Sequence, residues 1–300
     1  MIWLLAIIAA YFCYALASLG DKIVLDGKAQ PKSYTFFVGF FSILVIFIIP
    51  FVGLSVPQGT IWIWIILSAL FYILAMYAMF YALERFDVSK IVPTVGAIQP
   101  LFIVALSAIF LGGQSLSQNE IIAFAILLLG SVLISVEKNY KVTKKSLELS
   151  LLTAIFFSLQ MVFSKIVYLD LTFWDAFIWM KIFSFAFCLF FFFDKGFRTE
   201  IFKTDTRMDR KTATIFFITQ ILGGLANIFE AIAVFAVPLV YLGIMNAMKG
   251  VQYVFIFIFA ILISIFLPKL LKEDMSKNII IRRIIAIVLI GIGFAMTIII

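Results

Sequence analysis

The 300-residue chain is 65% hydrophobic and 13% charged, with a mean hydropathy of +1.19 and a formal charge of +7. Soluble domains are nearer half apolar and a quarter charged, so this composition excludes a water-soluble fold and requires a surface that faces lipid. There is no histidine, and Cys13 and Cys188 both lie in apolar runs, which argues against a histidine base, a metal site and a structural disulfide.

A crossing helix needs about 20 apolar residues. Ten such runs follow in order, near 2–18, 33–51, 61–83, 88–111, 117–136, 147–168, 173–193, 212–236, 240–267 and 279–299. The first has no basic leader and is long enough to span, so it reads as a membrane helix and not as a cleaved signal. Breaks fall at Gly20-Asp21-Lys22, Pro57-Gln58-Gly59, Gly112-Gly113-Gln114, 138–145, 194–211 and 268–278.

All but three of the 23 lysines and arginines lie in the loops after the odd-numbered runs or at the start of the tenth. The exceptions are Lys165, on the opposite side, and Lys181 and Lys249, inside runs. The positive-inside rule then puts the basic loops in the cytoplasm and both termini outside. The net charge is thus explained by topology and anionic head groups rather than by nucleic acid.

The chain also repeats itself. Asp21-Lys22-Ile23-Val24 is echoed by Ser164-Lys165-Ile166-Val167, and Gly96-Ala97-Ile98-Gln99 by Lys249-Gly250-Val251-Gln252. Five crossings per repeat force the second copy to enter from the other face. The expected fold is therefore an all-α membrane protein, ten transmembrane helices as two inverted five-helix repeats, 1–146 and 147–300.

The segment from Tyr77 to Ser135 carries a family resemblance. It holds Tyr81-Ala82-Leu83-Glu84-Arg85-Phe86-Asp87-Val88-Ser89, Gln99-Pro100-Leu101, Leu111-Gly112-Gly113-Gln114-Ser115-Leu116-Ser117 and Gly130-Ser131. This resembles the third-to-fifth helices of the drug/metabolite transporter superfamily, in its EamA-type ten-helix members. Gly113-Gln114 stands where that pattern has glutamate. The resemblance implies an alternating-access carrier for a small organic solute, and the family's range of amino acids, sugars, nucleotide derivatives and cations leaves the solute open. Familiar bacterial members have basic cytoplasmic tails, which this sequence lacks.

Three ionisable residues fall well inside runs, away from their ends: Lys181, Glu230 and Lys249. Each costs at least ~2.5–3.5 kcal/mol in the membrane. Counting residues from the nearest turns puts all three at a similar depth, so they are expected to converge, with Glu230 and Lys249 pairing and Lys181 left to attract an anionic group. A purely structural Glu–Lys pair, or Lys181 snorkelling to head groups, is the bland alternative. Polar stripes accompany them. Asn227 precedes Glu230 by one turn, Asn246 and Gln252 flank Lys249, Gln160 lies in the sixth run and Gln99 in the fourth. Tyr77 and Trp179 are candidate aromatic contacts, though core or interface roles suit them as well. Pro93, Gly96 and Pro100 are candidate hinge residues, since proline interrupts the helical ladder. Gly130, Gly223, Gly224, Gly291 and Gly293 are expected to admit close helix approach.

No phosphate-binding loop, nucleophile elbow or metal-ligand motif occurs. The sequence therefore reads as a secondary transporter for an anionic or zwitterionic metabolite, such as an amino acid or a phosphorylated compound. It is expected to sit in the cell (inner) membrane, without cofactor, catalytic residue or metal, as monomer or homodimer, in contact with lipid and a small-molecule substrate. The alternatives are a proton-coupled exporter of organic cations and a non-transporting membrane scaffold.

Overall fold

A computed structural model describes residues 2–25, 31–86, 88–112, 116–135, 143–202, 210–266 and 277–299. Among them every regular element is helical: α1 (Ile2–Leu25), α2 (Pro31–Phe41), α3 (Ile49–Val52), α4 (Ile61–Arg85), α5 (Val88–Phe110), α6 (Gln118–Ser135), α7 (Lys144–Asp170), α8 (Phe173–Cys188), α9 (Lys195–Phe202), α10 (Arg210–Ala236), α11 (Leu242–Ala247), α12 (Gly250–Phe266) and α13 (Lys277–Ile299). Eight helical segments are long and apolar enough to cross a membrane, and two shorter apolar helices, Thr94–Phe110 and Gln118–Ile134, lie in α5 and α6. The second crossing joins α2 to α3 through a 3-10 stretch, Ser42–Ile48. Gly53 ends it at φ 76°, a left-handed conformation that costs glycine little.

Large apolar side chains stand outward, Phe47, Phe51 and Phe193 among them. Water would penalise such a surface; hydrocarbon does not. The interior is a contiguous apolar cluster running from Trp3, Ile7 and Tyr11 through Ile65, Ile103 and Leu127 to Met161, Met245 and Met248. The main helix contacts are α1 with α10, α4 with α7, α5 with α7, α4 with α8, α1 with α12, and α6 with α13.

Small residues set the last of these contacts. A Cβ on Gly130 would lie 2.8 Å from Ile290 Cγ1, 3.1 Å from Ile290 N and 3.2 Å from Ala286 O, and one on Gly293 would lie 2.7 Å from Leu127 Cγ. Gly223, Gly224 and Gly291 have nothing within 4 Å, so the expectation of close approach fails for them. Gly130→Val is expected to cost about 1–3 kcal/mol, because two of the three opposing atoms are backbone and cannot step aside. Gly291→Val should stay within about 0.5 kcal/mol. Thermal unfolding of the two variants in detergent, side by side, checks this contrast.

Helix boundaries depart from the sequence reading where polar caps decide them. α7 starts at Lys144, since Thr143 and Ser146 form a reciprocal cap, with Ser146 N donating to Thr143 Oγ1 at 3.2 Å. A short amphipathic helix, α9, was not expected; it buries Phe197 against Phe36, Phe191 and Phe192.

The ninth crossing is broken. α11 ends at Ala247, and after the turn at Met248-Lys249 α12 begins at Gly250. At the break the ladder tightens by one residue. Lys249 N donates to Asn246 O at 3.0 Å and Val251 N to Met248 O at 2.9 Å. Regular α-helix would have used Met245 O and Ala247 O instead. Those two carbonyls accept from other helices: Tyr11 Oη bonds Met245 O at 3.0 Å, and Ser131 Oγ bonds Ala247 O at 2.9 Å. Both freed carbonyls thus find partners, as an interruption at membrane depth requires.

α5 runs unbroken past Pro93, Gly96 and Pro100, and the gap lies in the span facing it. The Pro93 side chain is outside those described. Gly96 serves close packing, for a Cβ there would collide with Tyr253 Oη, which donates to Val92 O at 3.0 Å.

Candidate functional site

A cavity of about 50 Å³ lies between α4, α7, α8 and α10. At ~10–15 Å³ each it holds a few waters. α4 contributes Ser68 and Tyr72, one turn apart. α7 brings Gln160, Ser164 and Tyr168, again at one-turn spacing. Phe177, Lys181 and Ser184 come from α8, and Asn227 and Glu230 from α10.

Glu230 is held from outside the cavity wall: Tyr14 Oη on α1 donates to Glu230 Oε2 at 2.7 Å. Lys181 is held by rings. Its Nζ lies 4.5 Å from the Tyr72 ring centroid and 5.5 Å from that of Phe177. The cavity therefore presents one carboxylate and one ammonium, kept apart, with amides and hydroxyls between them.

Lys249 belongs to a second polar patch at the α11–α12 break. Its Nζ donates to Gln99 Oε1 at 3.4 Å and stands 6.0 Å from the Phe157 centroid. Among the described residues no ion pair joins Glu230 to Lys249, which corrects the pairing inferred from their common depth. Asn246 Nδ2 points at Met161 Sδ, 3.8 Å away, and Gln252 Nε2 donates to Ser18 Oγ at 3.4 Å. Their carbonyl oxygens, Asn246 Oδ1 and Gln252 Oε1, are buried without a partner.

Ten residues were singled out as substrate contacts. The cavity brings together Lys181, Glu230, Asn227 and Gln160. Lys249, Gln99, Asn246 and Gln252 form or flank the patch at the break. Tyr77 and Trp179 join neither. Tyr77 packs on Tyr81 and Phe191. Trp179 Nε1 donates to Ser55 O at 2.8 Å and meets Trp62 edge-on, while Asp175 Oδ1 accepts from Ser55 N at 2.8 Å. Trp179 and Asp175 thereby fasten the loop after α3 to α8.

Sequence reasoning missed Ser68, Tyr72 and Ser184 as wall residues. The one-turn spacing of Ser68 and Tyr72 was a usable signal. Lys165, read as a charge at the end of the sixth run on the opposite face, is 3% exposed. Its Nζ donates to Val234 O at 3.0 Å, Phe235 O at 3.1 Å and Val237 O at 2.6 Å, capping the C-terminus of α10.

A second buried cluster lies farther along the bundle. Val24, Tyr34, Phe80 and Phe216, from α1, α2, α4 and α10, form it. Tyr34 lies 4.6 Å from Phe80 and 5.8 Å from Phe216, centroid to centroid, and its hydroxyl donates to Asp21 Oδ1.

Residues 1–136 match the EamA-like transporter family. The match contains the stretch from Tyr77 to Ser135 and supports the drug/metabolite transporter superfamily. With the eight long apolar helical segments among the described residues, this match indicates an integral, multi-pass membrane protein. A solved crystal structure of a protein shares the fold, with a TM-score of 0.66 at 17% identity, covering 96% of this chain and 96% of the other. The likeness thus extends well past the EamA-like segment into the second half. No curated protein matches the sequence at a significant level.

Proposed function

We propose that this chain is a secondary carrier which moves a small anionic or zwitterionic metabolite by alternating access, with the solute held between Lys181 and Glu230. The observation that carries the reading is a cavity that places an unpaired ammonium and a carboxylate together inside a membrane-spanning bundle. Charges in such a place are costly and mark a solute path.

The helix contacts support two inverted repeats, 1–146 and 147–300, with α5 and α6 as the fourth and fifth of ten crossings. Exchanging α1 with α7, α4 with α10, and α5 with the α11–α12 pair turns the α1–α10 contact into α7–α4, and the α5–α7 contact into α12–α1; α6–α13 maps onto itself. A broken crossing between the halves is also a recurring feature of carriers. In the proposed orientation the basic loops face the cytoplasm of a cell (inner) membrane and the termini face outside.

The test is uptake into liposomes reconstituted with the purified chain, over labelled amino acids, organic acids and phosphorylated metabolites. Lys181→Met is expected to lower uptake of the accepted solute at least tenfold, about 1.4 kcal/mol of lost binding, with folding unchanged. Uptake indifferent to Lys181→Met would defeat the reading. Transport of a cationic compound that survives Lys181→Met and fails in Glu230→Gln would replace it by the proton-coupled exporter.

A further inference from the structure

Lys181 is surrounded in the way an organic cation is bound. Its ammonium stands over the faces of Tyr72 and Phe177, at 4.5 Å and 5.5 Å from their centroids, and Glu230 lies in the same cavity wall. Among the described residues the ammonium makes no hydrogen bond and no ion pair. An ammonium has three donors, and a lysine placed for pairing would use them on oxygen. Here it rests on ring quadrupoles, the interaction by which aromatic cages hold quaternary ammonium groups. The Glu230 carboxylate is meanwhile steadied by Tyr14 at 2.7 Å and remains as a long-range counter-charge.

We propose that Lys181 is a tethered occupant of an organic-cation site, and so sets the specificity of the cavity by excluding free cations. The proposal rests on the reading of this cavity as the solute site. A tethered ammonium competes at an effective concentration of at least the mM order, so a free cation must bind far more strongly than the lysine to displace it. A solute bearing an anionic group has no such competitor, because it adds a partner to the ammonium. The lysine thus rejects one charge class and admits the other by the same contact.

Removing the tether should uncover the site. Lys181→Ala deletes Cγ, Cδ, Cε and Nζ, close to the heavy-atom content of tetramethylammonium, and leaves both rings and the carboxylate in place. The experiment is titration of the full-length chain in detergent with tetramethylammonium chloride, followed by calorimetry, with sodium chloride as the ionic control. The unaltered chain should show no saturable binding in the mM range. Lys181→Ala should bind at least tenfold more tightly than that limit. Binding should be lost again in Lys181→Ala with Tyr72→Leu, and weakened in Lys181→Ala with Glu230→Gln.

Neopentyl alcohol, a water-soluble neutral analogue one hydroxyl larger, should not bind Lys181→Ala. If it binds equally well, the lysine merely filled an apolar hole and the proposal is overturned. It is also overturned if Lys181→Ala is folded and ignores tetramethylammonium. Should that variant fail to elute as a single species, Lys181→Ser offers the same space with a hydroxyl and is read by the same criteria. The readout uses no transport. Silence of the variants leaves the carrier reading intact, and failed uptake of anionic solutes by the unaltered chain leaves a positive titration standing.

Discussion

Lys165→Met should lower the stability of the protein by about 3 kcal/mol or more, the largest single loss expected from any charge in the chain. The last carbonyls of a helix have no partner within it. In α10 three of them, at Val234, Phe235 and Val237, converge on one ammonium that is almost wholly buried. The ammonium also sits at the negative end of the helix dipole. Methionine keeps the length of the side chain and removes every donor. Each carbonyl then loses a charge-assisted bond, and an unsatisfied buried acceptor costs ~1–3 kcal/mol. The measurement is the midpoint of thermal unfolding in detergent. Lys144→Met is the control: Lys144 meets Glu148 at 3.9 Å, with both side chains largely exposed, and its loss should not move the midpoint measurably. Equal midpoints for the two variants would show that the cap carries no weight.

Lys165 also illustrates where the sequence stops being readable. Its place in the chain assigned it to the end of the sixth run, on the sparsely charged face. Nothing local announced that its amine would reach the end of a helix some seventy residues later. The spans themselves were legible, because a bilayer imposes one length and one composition on every crossing. The break between α11 and α12 was not. No proline marks it, and the two carbonyls it frees are taken by Tyr11 and Ser131, from far along the sequence. Conversely Pro100, which looked like a breaker, sits in a continuous helix.

The site was half legible for a related reason. Counting residues from a turn fixes how deep a side chain lies but not which way its helix is rotated. Lys181 and Glu230 share both depth and direction and meet in one cavity. Lys249 shares the depth and points elsewhere, toward Gln99 and Phe157. Tyr72 follows Ser68 by one turn, a spacing that marks a shared face, but only the ammonium above its ring gives it a role.

Tyr34→Ala should move access from one end of the protein to the other. The cavity is walled by α4, α7, α8 and α10, and the buried Tyr34 cluster, the seal of the proposed carrier, is drawn from α1, α2, α4 and α10. Exchange of the two proposed repeats converts the first set into the second, so an alternating carrier should open one as it closes the other. Tyr34 is the centre of the seal: 2% exposed, between Phe80 and Phe216, with its hydroxyl on Asp21. Truncating a buried aromatic costs ~3–5 kcal/mol. If the loss falls on the sealed state alone, the balance between states shifts by two orders of magnitude or more, since about 1.4 kcal/mol is tenfold. Single cysteines read both ends in a background with Cys13→Ser and Cys188→Ser. Gln220→Cys reports the seal, as Gln220 adjoins the Tyr34 hydroxyl. Asn227→Cys reports the cavity it lines. With a membrane-impermeant maleimide, Tyr34→Ala should raise the labelling rate of Gln220→Cys at least tenfold and depress that of Asn227→Cys. A rise at both positions would mean local loosening without exchange, and no change at either would mean that the seal does not hold the sealed state. Only the reciprocal change is what two coupled, oppositely oriented halves produce, because opening one set of helices uses the same α4 and α10 surfaces that closing the other requires.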